Sequence, residues 1–290
     1  MVISVLLGGL GNQLFQYAFG VRLAHQLQTE LRLERHLLES TTLARLRHYT
    51  PRQYELDTFS IRPKQASILD LISVSARVNL PGMNTILVRE SATNPDAITK
   101  LPDKVQNVLC FGYWQSESYF KPVAETLRKQ LVFRKTPSAV TLAIANTILR
   151  NPNATFIHIR RGDYVTNPTA NQYHGLCDID YYIRSISYLR ERVSDLHFFV
   201  FSDDPIWAKR ELSQLGKTAT FIDHNQGADS WQDLYLMRLC HHAIIANSSF
   251  SWWGAWLNPE IERLVIAPDQ WFPGQPLMSQ QVICPNWHRL

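Results

Sequence analysis

The stretch TFIHIRRGDY, residues 155–164, decides the fold, because it joins a run of apolar and β-branched residues to a charged loop. Its first five residues have the composition of a buried strand. Similar runs recur further along the chain, and segments with helical spacing separate most of them. Buried strands that alternate with helices are typical of a parallel sheet covered on both faces. The second half is therefore predicted to be α/β, with strands at Thr155–Ile159, His197–Phe201, Ala219–Ile222, Ala243–Ala246 and Leu264–Ala267.

The first half begins with the same pattern. A strand is predicted at Ile3–Leu7, followed by a glycine-rich turn and a helix over Asn12–Leu27. Residues 36–107 lack clear periodicity, and later segments give a strand at 108–111 and helices at 116–130 and 136–149. The Asn151-Pro152-Asn153 turn marks the predicted boundary between an N-terminal domain, 1–152, and a C-terminal domain, 153–290. We expect two α/β domains with a cleft between them, since such sheets bind ligands beyond the carboxyl ends of their strands.

The composition limits the classes of function. The chain has 290 residues, of which 45% are hydrophobic and 19% are charged, so it is globular and not disordered. Lys and Arg total 29 and Asp and Glu total 25, giving a formal net charge of +4. That balance does not predict nucleic-acid binding, and function must depend on where particular arginines lie.

The sequence also bears on compartment and metal content. No run approaches the ~20 consecutive apolar residues that a membrane-spanning helix needs, so no integral membrane segment is expected. The four cysteines form no CxxC pair and no Cys/His cluster, which favours free buried thiols in a cytoplasmic protein: Cys110, Cys177, Cys240 and Cys284.

The richest candidate site is HIRRGDY, residues 158–164, at the end of a predicted strand. Arg160 and Arg161 offer planar donors that suit phosphate oxygens, and such cations would stabilise the charge of a departing nucleoside diphosphate. The alternative is a structural ion pair between arginine and Asp163.

A second candidate is the GGLGNQ turn, residues 8–13, between the first strand and the first helix. Its glycines and the free N–H groups of the helix could receive an anion. Its spacing fits neither the dinucleotide-binding fingerprint nor the Walker P-loop. On these residues alone a tight turn with positive φ is the better interpretation.

The segment FSDDP, residues 201–205, also follows a strand. Paired aspartates could hold a divalent metal. Pro205 and the helical spacing after it favour a helix N-cap at Asp203 or Asp204 instead.

Further candidates lie at two strand ends and on one helix. The NSSFSWWGAW segment, residues 247–256, could form an anion site at a helix start, and its tryptophans are expected to pack that helix on the sheet. Asp233 could accept two hydrogen bonds from guanine, although an exposed helix aspartate is the default. Trp114 could stack on an acceptor sugar or belong to the core.

Together these segments resemble the α1,2-fucosyltransferase family, which includes the bacterial relatives of the blood-group H enzymes. The matching motifs occur in the family's order and span nearly the whole chain: GGLGNQLFQYAFG, RQYEL at Arg52–Leu56, GYWQSESYF, HIRRGDY, FSDD and NSSFSWWGAWL. The resemblance implies a GT-B fold, with two Rossmann-like domains facing each other across a cleft. It also implies a bacterial cytoplasmic enzyme that transfers L-fucose from GDP-β-L-fucose with inversion and needs neither metal nor other cofactor.

The resemblance also implies roles for individual residues. Arg160, Asp163 and Asn12 are expected to be catalytic. The acceptor, a galactose-containing oligosaccharide or polysaccharide precursor, is expected to contact Trp114, Arg52 and Glu55 on positional grounds, because these residues lie in the half of the chain that lacks the HIRRGDY and Ser248–Ser249 donor motifs. The residues expected to bind GDP-fucose are Asn12, Gln13, His158, Arg160, Arg161, Asp233, Ser248, Ser249 and Phe250.

The expected reaction is transfer to the 2-hydroxyl of a terminal galactoside, which forms an α1,2-fucoside. Two alternatives stay open: a transferase with another linkage or another GDP-deoxysugar, and a non-catalytic protein that binds a sugar or nucleotide. The presence of Asn12, Arg160, Arg161 and Asp163 argues against the second alternative, because a degenerate copy would lose some of them.

Overall fold

The computed structural model describes residues 1–42, 51–78, 80, 84–90, 101–102, 104–162, 175–260 and 262–290. The chain divides into two compact units, Met1–Lys135 and Thr136–Leu290. Each unit has its own parallel β-sheet. The α/β fold class predicted from the sequence is therefore confirmed.

In unit 1 the described strands form a five-stranded sheet in the order β3-β2-β1-β5-β4. The strands are β1 (Val2–Val5), β2 (Leu31–Glu34), β3 (Lys64–Gln65), β4 (Thr85–Arg89) and β5 (Asn107–Phe111). The helices are α1 (Leu10–Gln26), α2 (His36–Glu39), α3 (Ile68–Arg77) and α4 (Ala124–Gln130). Single 3-10 turns lie at Leu56–Thr58, Glu117–Tyr119 and Lys121–Val123.

Strand β1 lies at the centre of this sheet, and all four of its residues are buried. It pairs in parallel with β2 on one side and β5 on the other. Helix α1 follows directly and buries most of its length. The carboxyl ends of β1 and β5 therefore meet at one edge, where the Gly8 turn and the segment after Phe111 begin.

One predicted helix of unit 1 is wrong in its extent. The spacing over 116–130 predicts a single helix, but α-helical structure begins only at Ala124. Ser116 caps a 3-10 turn through its side chain, and Pro122 lies at the start of the next 3-10 turn. Proline lacks the N–H that a continuous helix would need at that point.

In unit 2 the described strands form a six-stranded sheet in the order β11-β10-β9-β6-β7-β8. The strands are β6 (Ala154–Ile159), β7 (His197–Ser202), β8 (Ala219–Ile222), β9 (His242–Ile244), β10 (Val265–Ala267) and β11 (His288–Arg289). The helices are α5 (Ala139–Leu149), α6 (Ile179–Arg190), α7 (Pro205–Glu211), α8 (Trp231–Met237), α9 (Ser249–Trp256) and α10 (Pro276–Val282). Two 3-10 segments cover Ser213–Thr218 and Gly227–Asp229.

The five strands predicted in this half are all present, and β11 is an addition at the sheet edge. All six residues of β6 are buried, which places this strand in the middle of the sheet. Its register with β7 pairs Ile159 with Ser202, so the residues that follow the two strands start side by side. This register positions the charged loop described below.

The division between the units falls before helix α5, whereas the predicted boundary lay after Pro152. Ser138 caps α5 by accepting a hydrogen bond from the Thr141 N–H. Its own N–H donates to Gln232 Oε1 on α8 at 2.7 Å. Helix α5 is thus bonded to elements of unit 2, a contact distant in sequence that no turn signal could reveal.

Three of the four cysteine thiols are buried and none forms a disulfide, as expected. Among the described residues, no helix is long and apolar enough to span a membrane.

Candidate functional site

The Arg160–Gly162 loop follows β6, and an aspartate after β7 holds it in place. The Asp203 carboxylate accepts hydrogen bonds from the backbone N–H of Arg161 at 2.8 Å and of Gly162 at 3.0 Å. It also forms a 2.8 Å ion pair with Arg160 Nη1. A Cβ at Gly162 would lie 2.7 Å from Asp203 Oδ2, so a larger residue here would have to displace the Asp203 carboxylate. Asp203 therefore fixes both the loop and the guanidinium of Arg160.

Arg161 is held separately, by residues at the start of helix α7. Its Nε lies 3.4 Å from Asp204 Oδ2, and its guanidinium carbon lies 4.1 Å from the Trp207 ring centre. The other oxygen of Asp204 accepts the Trp207 N–H at 3.1 Å, and Pro205 is the first residue of the helix. The predicted N-cap is confirmed at Asp204, whereas Asp203 serves the loop instead.

Both arginine side chains keep part of their surface in solvent, 29% for Arg160 and 21% for Arg161. A guanidinium carries five N–H donors in a planar fork. The loop therefore presents two partly exposed cationic side chains of the kind that suit an anionic ligand. Asp163, the predicted partner in this motif, lies outside the described residues.

His158 lies on β6 beneath the loop and is 6% exposed. Burial and the neighbouring charge of Arg160 lower the pKa of its imidazole to about 3. The ring is therefore neutral near pH 7 and adds no charge to the site. Its centre lies 5.9 Å from that of Phe250, so two of the predicted donor residues meet in unit 2.

Asp233 on helix α8 is half-buried, and the default expectation of an exposed helix aspartate is wrong. Burial raises the pKa of its carboxyl to about 7, and the hydrogen bond from Asn225 opposes that rise. Asn225 Nδ2 donates at 2.8 Å, and the Thr141 hydroxyl lies 3.3 Å from Asn225 Oδ1. A carboxylate held this way has lone pairs left for a ligand that donates hydrogen bonds.

The NSSFSWWGAW segment forms the turn into helix α9. Ser248 is the N-cap residue, but its side chain makes no capping hydrogen bond to the helix. Asn247, which the sequence did not single out, donates to the Gly175 carbonyl at 3.3 Å and the Trp271 carbonyl at 3.4 Å. The tryptophans of the segment are buried, which confirms that they pack the helix: Trp252, Trp253 and Trp256.

In unit 1 the Gly8 turn has φ +77°, as the tight-turn interpretation predicts. A Cβ at Gly8 would lie 2.4 Å from Asn12 Nδ2, so the turn packs closely on the asparagine amide. The N–H of Leu10, in the first turn of α1, donates to the Glu55 carboxylate. The chain itself therefore places an anion at this helix N-terminus.

Gln13 lies behind this turn and is completely buried. Its amide donates to the Gly8 carbonyl at 3.0 Å and the Gln53 carbonyl at 2.9 Å, and accepts the Glu55 N–H at 3.0 Å. All of these bonds join parts of unit 1. The structure thus assigns Gln13 the role of a clamp between the turn and the segment around Glu55, and not the direct donor contact expected from the sequence.

Trp114 belongs to the core of unit 1, which corrects the expectation that it stacks on a sugar. Its side chain is 0% exposed. The ring stacks on Phe19 at a centroid distance of 4.1 Å and meets Tyr119 edge-on at 5.4 Å. The other predicted acceptor residues lie nearer the surface: Arg52 is exposed and Glu55 is half-buried.

Burial also raises the pKa of Glu55, against the opposing effects of the Leu10 N–H and the charges of Arg52 and Lys135.

No group of three or more His, Cys, Asp or Glu side chains in the described ranges has the arrangement of a metal site.

Known proteins resemble this chain, two of them from Escherichia coli over nearly its full length. An Escherichia coli alpha-1,2-colitosyltransferase is 36% identical over 100% of this chain and 99% of its own. The O-antigen biosynthesis glycosyltransferase WbnK of Escherichia coli is 32% identical over 93% of this chain and 95% of its own. Human galactoside alpha-(1,2)-fucosyltransferase 1 is 26% identical over 50% of this chain and 42% of its own.

Solved structures show the same fold. The NodZ alpha-1,6-fucosyltransferase, soaked with GDP-fucose, has a TM-score of 0.56 at 14% identity and covers 94% of this chain and 96% of its own. POFUT1 in complex with GDP has a TM-score of 0.52 at 12% identity, covering 92% and 97%. Both likenesses support the GT-B class that the motifs imply.

The family model of glycosyl transferase family 11 matches residues 83–290. That range contains HIRRGDY, FSDD and NSSFSWWGAWL, and the full-length relatives extend the match to the GGLGNQ turn. The chain therefore belongs to glycosyl transferase family 11 and is a glycosyltransferase with the GT-B fold.

Proposed function

We propose that the protein transfers L-fucose from GDP-β-L-fucose to the 2-hydroxyl of a terminal galactoside and forms an α1,2 linkage. The observation that carries this proposal is the paired-arginine loop at the end of β6, held by Asp203 within a family 11 chain. The full-length likeness to an α1,2-transferase supports the linkage.

Unit 2 would hold the donor. Arg160 and Arg161 would contact the diphosphate, where fixed positive charge stabilises the negative charge that grows as GDP departs. The Asp233 carboxylate would accept two N–H donors from the guanine edge. Ser248, Ser249 and Phe250 would lie against the phosphate end, because the first N–H groups of a helix have no carbonyl partner within the helix.

Unit 1 would supply the acceptor side. Arg52 and Glu55 would bind sugar hydroxyls, and Asn12 would contact the fucosyl phosphate. The galactose O2 attacks the anomeric carbon of fucose while the bond from that carbon to the phosphate oxygen breaks. The hydroxyl proton is released, GDP leaves with the bonding electrons, and the β-linked donor becomes an α-linked product.

Colitose is the second candidate sugar, favoured by one observation, the 36% identity to an α1,2-colitosyltransferase over the whole chain. Colitose is L-fucose without the 3-hydroxyl. An enzyme that hydrogen-bonds this hydroxyl would strongly prefer fucose, whereas an apolar pocket at that point would discriminate only weakly.

The test is to incubate the purified protein with GDP-fucose or GDP-colitose, with and without a β-galactoside, and to analyse the product by NMR. We expect acceptor-dependent GDP release and an α-anomeric signal correlated with galactose C2. A correlation with another galactose carbon would remove the α1,2 claim and leave the glycosyltransferase assignment intact. Turnover with GDP-colitose but not with GDP-fucose would mean that the transferred sugar is colitose and not fucose.

A further inference from the structure

Trp114 carries two energetic penalties in one residue. Its backbone has φ +58°, a left-handed conformation that bulky side chains rarely adopt. Its indole Nε1 is buried without a hydrogen-bond partner in the described parts of the chain. Strain and an unpaired buried donor persist only where the surroundings enforce them, and they are concentrated at functional sites.

The Glu90 carboxylate enforces this conformation. Its Oε2 accepts the Tyr113 N–H at 2.7 Å, its Oε1 accepts the Trp114 N–H at 2.9 Å, and the Gln115 N–H also donates to it. Three successive N–H groups around a left-handed residue form an anion-binding nest. Here a side chain of the same unit fills that nest.

The sheet delivers Glu90 to this position. Strand β4 pairs in parallel with β5 up to Arg89 and Phe111, and the Glu90 N–H then donates to the Phe111 carbonyl at 3.2 Å. Glu90 is therefore the first residue beyond the ladder and faces the turn that leaves β5. No motif in the sequence marks it.

The turn also reaches the candidate site. Gln115 Nε2 lies 2.7 Å from Asn12 Oδ1, and Gln16 Nε2 donates to the Gly112 carbonyl at 3.1 Å. With its oxygen engaged by Gln115, the Asn12 amide has a set orientation, and its NH2 group packs against Gly8. A chain of hydrogen bonds thus runs from Glu90 through the turn to the Asn12 amide.

We propose that Glu90 is a positioning residue for sugar transfer: by holding the 113–115 turn, it presents Gln115 to Asn12 and orients the Asn12 amide. This proposal rests on the role given to Asn12 under the proposed function. A purely structural Glu90 would stabilise unit 1 without any dependence on Gln115, and the two roles therefore differ in a measurable coupling.

The experiment is a double-mutant cycle in kcat with Glu90→Gln and Gln115→Leu. We expect each single change to lower kcat roughly tenfold, the scale of one lost charge-assisted hydrogen bond, while the Kd for GDP stays unchanged. The double variant should be no slower than Gln115→Leu alone, since Glu90 acts through Gln115. Effects on kcat that multiply, or a parental kcat in Glu90→Gln, would overturn the proposal.

Glu125→Gln is the matched control, because that side chain is 80% exposed on α4 of the same unit. It should leave kcat unchanged. If urea denaturation shows that Glu90→Gln does not fold, Glu90→Asp, which keeps the charge on a shorter side chain, takes its place in the cycle with the same expected non-additivity.

A second measurement does not depend on activity. The side-chain amide resonances of Asn12 and Gln115, observed by 15N NMR in the full protein, should shift in Glu90→Gln and not in Glu125→Gln. Unchanged resonances would overturn the positioning role. Absence of transfer by the parent protein would instead defeat the proposed function, so the two failures can be told apart.

Discussion

The Arg160–Gly162 loop of unit 2 and the Gly8–Gln13 turn of unit 1 occupy equivalent places in their sheets. Each follows a buried central strand, β6 or β1. In unit 2 the side chain that accepts the loop N–H groups is the Asp203 carboxylate, and two guanidinium groups remain partly exposed beside it. In unit 1 the amide of Gln13 ties the turn, and the Glu55 carboxylate occupies the helix N-terminus.

The comparison teaches that the same position in a sheet can present side chains of different charge, and so suit ligands of different charge. The unit 2 loop offers cations, which suit an anionic ligand such as a nucleoside diphosphate. The unit 1 turn offers amide and carboxylate groups, which suit the hydroxyl groups of a neutral sugar. The predictions below test this difference, from the largest expected effect to the smallest.

Trp114→Ala should give the largest effect on stability. Removing a completely buried indole leaves a cavity that costs ~3–5 kcal/mol in the free energy of unfolding. The measurement is urea denaturation of the parent, Trp114→Ala and Trp114→Phe, with the phenylalanine variant losing less. A parental midpoint for Trp114→Ala, together with a raised KM for the acceptor, would restore the stacking role that the structure contradicts.

Arg160→Ala should give the largest effect on catalysis. The loss of one fixed cation at a developing negative charge corresponds to ~3 kcal/mol, or roughly a hundredfold in kcat. Arg160→Lys should also lose most activity, because an ammonium group cannot reproduce the planar fork. Arg210→Ala, which changes another arginine of unit 2, is the control, and near-parental kcat in a folded Arg160 variant would exclude the proposed role.

Asp233 should make GDP binding depend on pH. Burial raises the pKa of this carboxyl from 3.8 to about 7, and its protonated form cannot accept both guanine N–H groups. GDP affinity should therefore rise as the pH increases through 7, and Asp233→Asn should weaken binding and flatten the profile. Titration calorimetry at several pH values would measure this, and an unchanged profile in Asp233→Asn would contradict it.

The same shift predicts a stability effect of opposite direction. The folded state holds this proton to a higher pH than the unfolded chain does, so the contribution of Asp233 to stability decreases as the pH rises from about 4 to about 7. Without GDP, Asp233→Asn should therefore have a higher Tm than the parent at pH 8. A lower Tm there would mean that the carboxylate is stabilising when ionised.

Removal of divalent metal should have the smallest effect, namely none. Every carboxylate oxygen of Asp203 and Asp204 already has an N–H or guanidinium partner: Arg160, Arg161, Gly162 and Trp207. Activity should persist after exhaustive EDTA treatment. If EDTA abolished activity and Mg²⁺ or Mn²⁺ restored it, these aspartates would be metal ligands instead.

The sequence predicted the strands of unit 2 and the candidate site residues at their ends because local signals agreed there. Apolar runs marked the strands, charged loops marked their carboxyl ends, and Pro205 marked the start of α7. The role of Asp203 could not be predicted, since it depends on the register that pairs Ile159 with Ser202. Sequence spacing alone does not give a register between strands whose paired residues, such as Ile159 and Ser202, lie far apart in the chain.

Unit 1 was less predictable for physical reasons. Both residues of strand β3 are exposed, so the strand shows no alternation of apolar and polar positions. A tryptophan such as Trp114 looks the same in a sequence whether it stacks on a ligand or fills a core, and here it is buried. Glu90 reaches the turn only through the pairing of β4 with β5. Each of these features depends on contacts between segments far apart in the chain.

Hydrogen–deuterium exchange with and without GDP tests the central claim, that unit 2 binds the nucleotide. We predict that GDP slows exchange in peptides that cover 158–162, 231–237 and 247–253, and slows exchange at Gly8–Gln13 much less. In Arg160→Ala this protection should be reduced at the same peptides. Protection confined to the Gly8–Gln13 turn, with no change along the Arg160–Gly162 loop, would contradict the account.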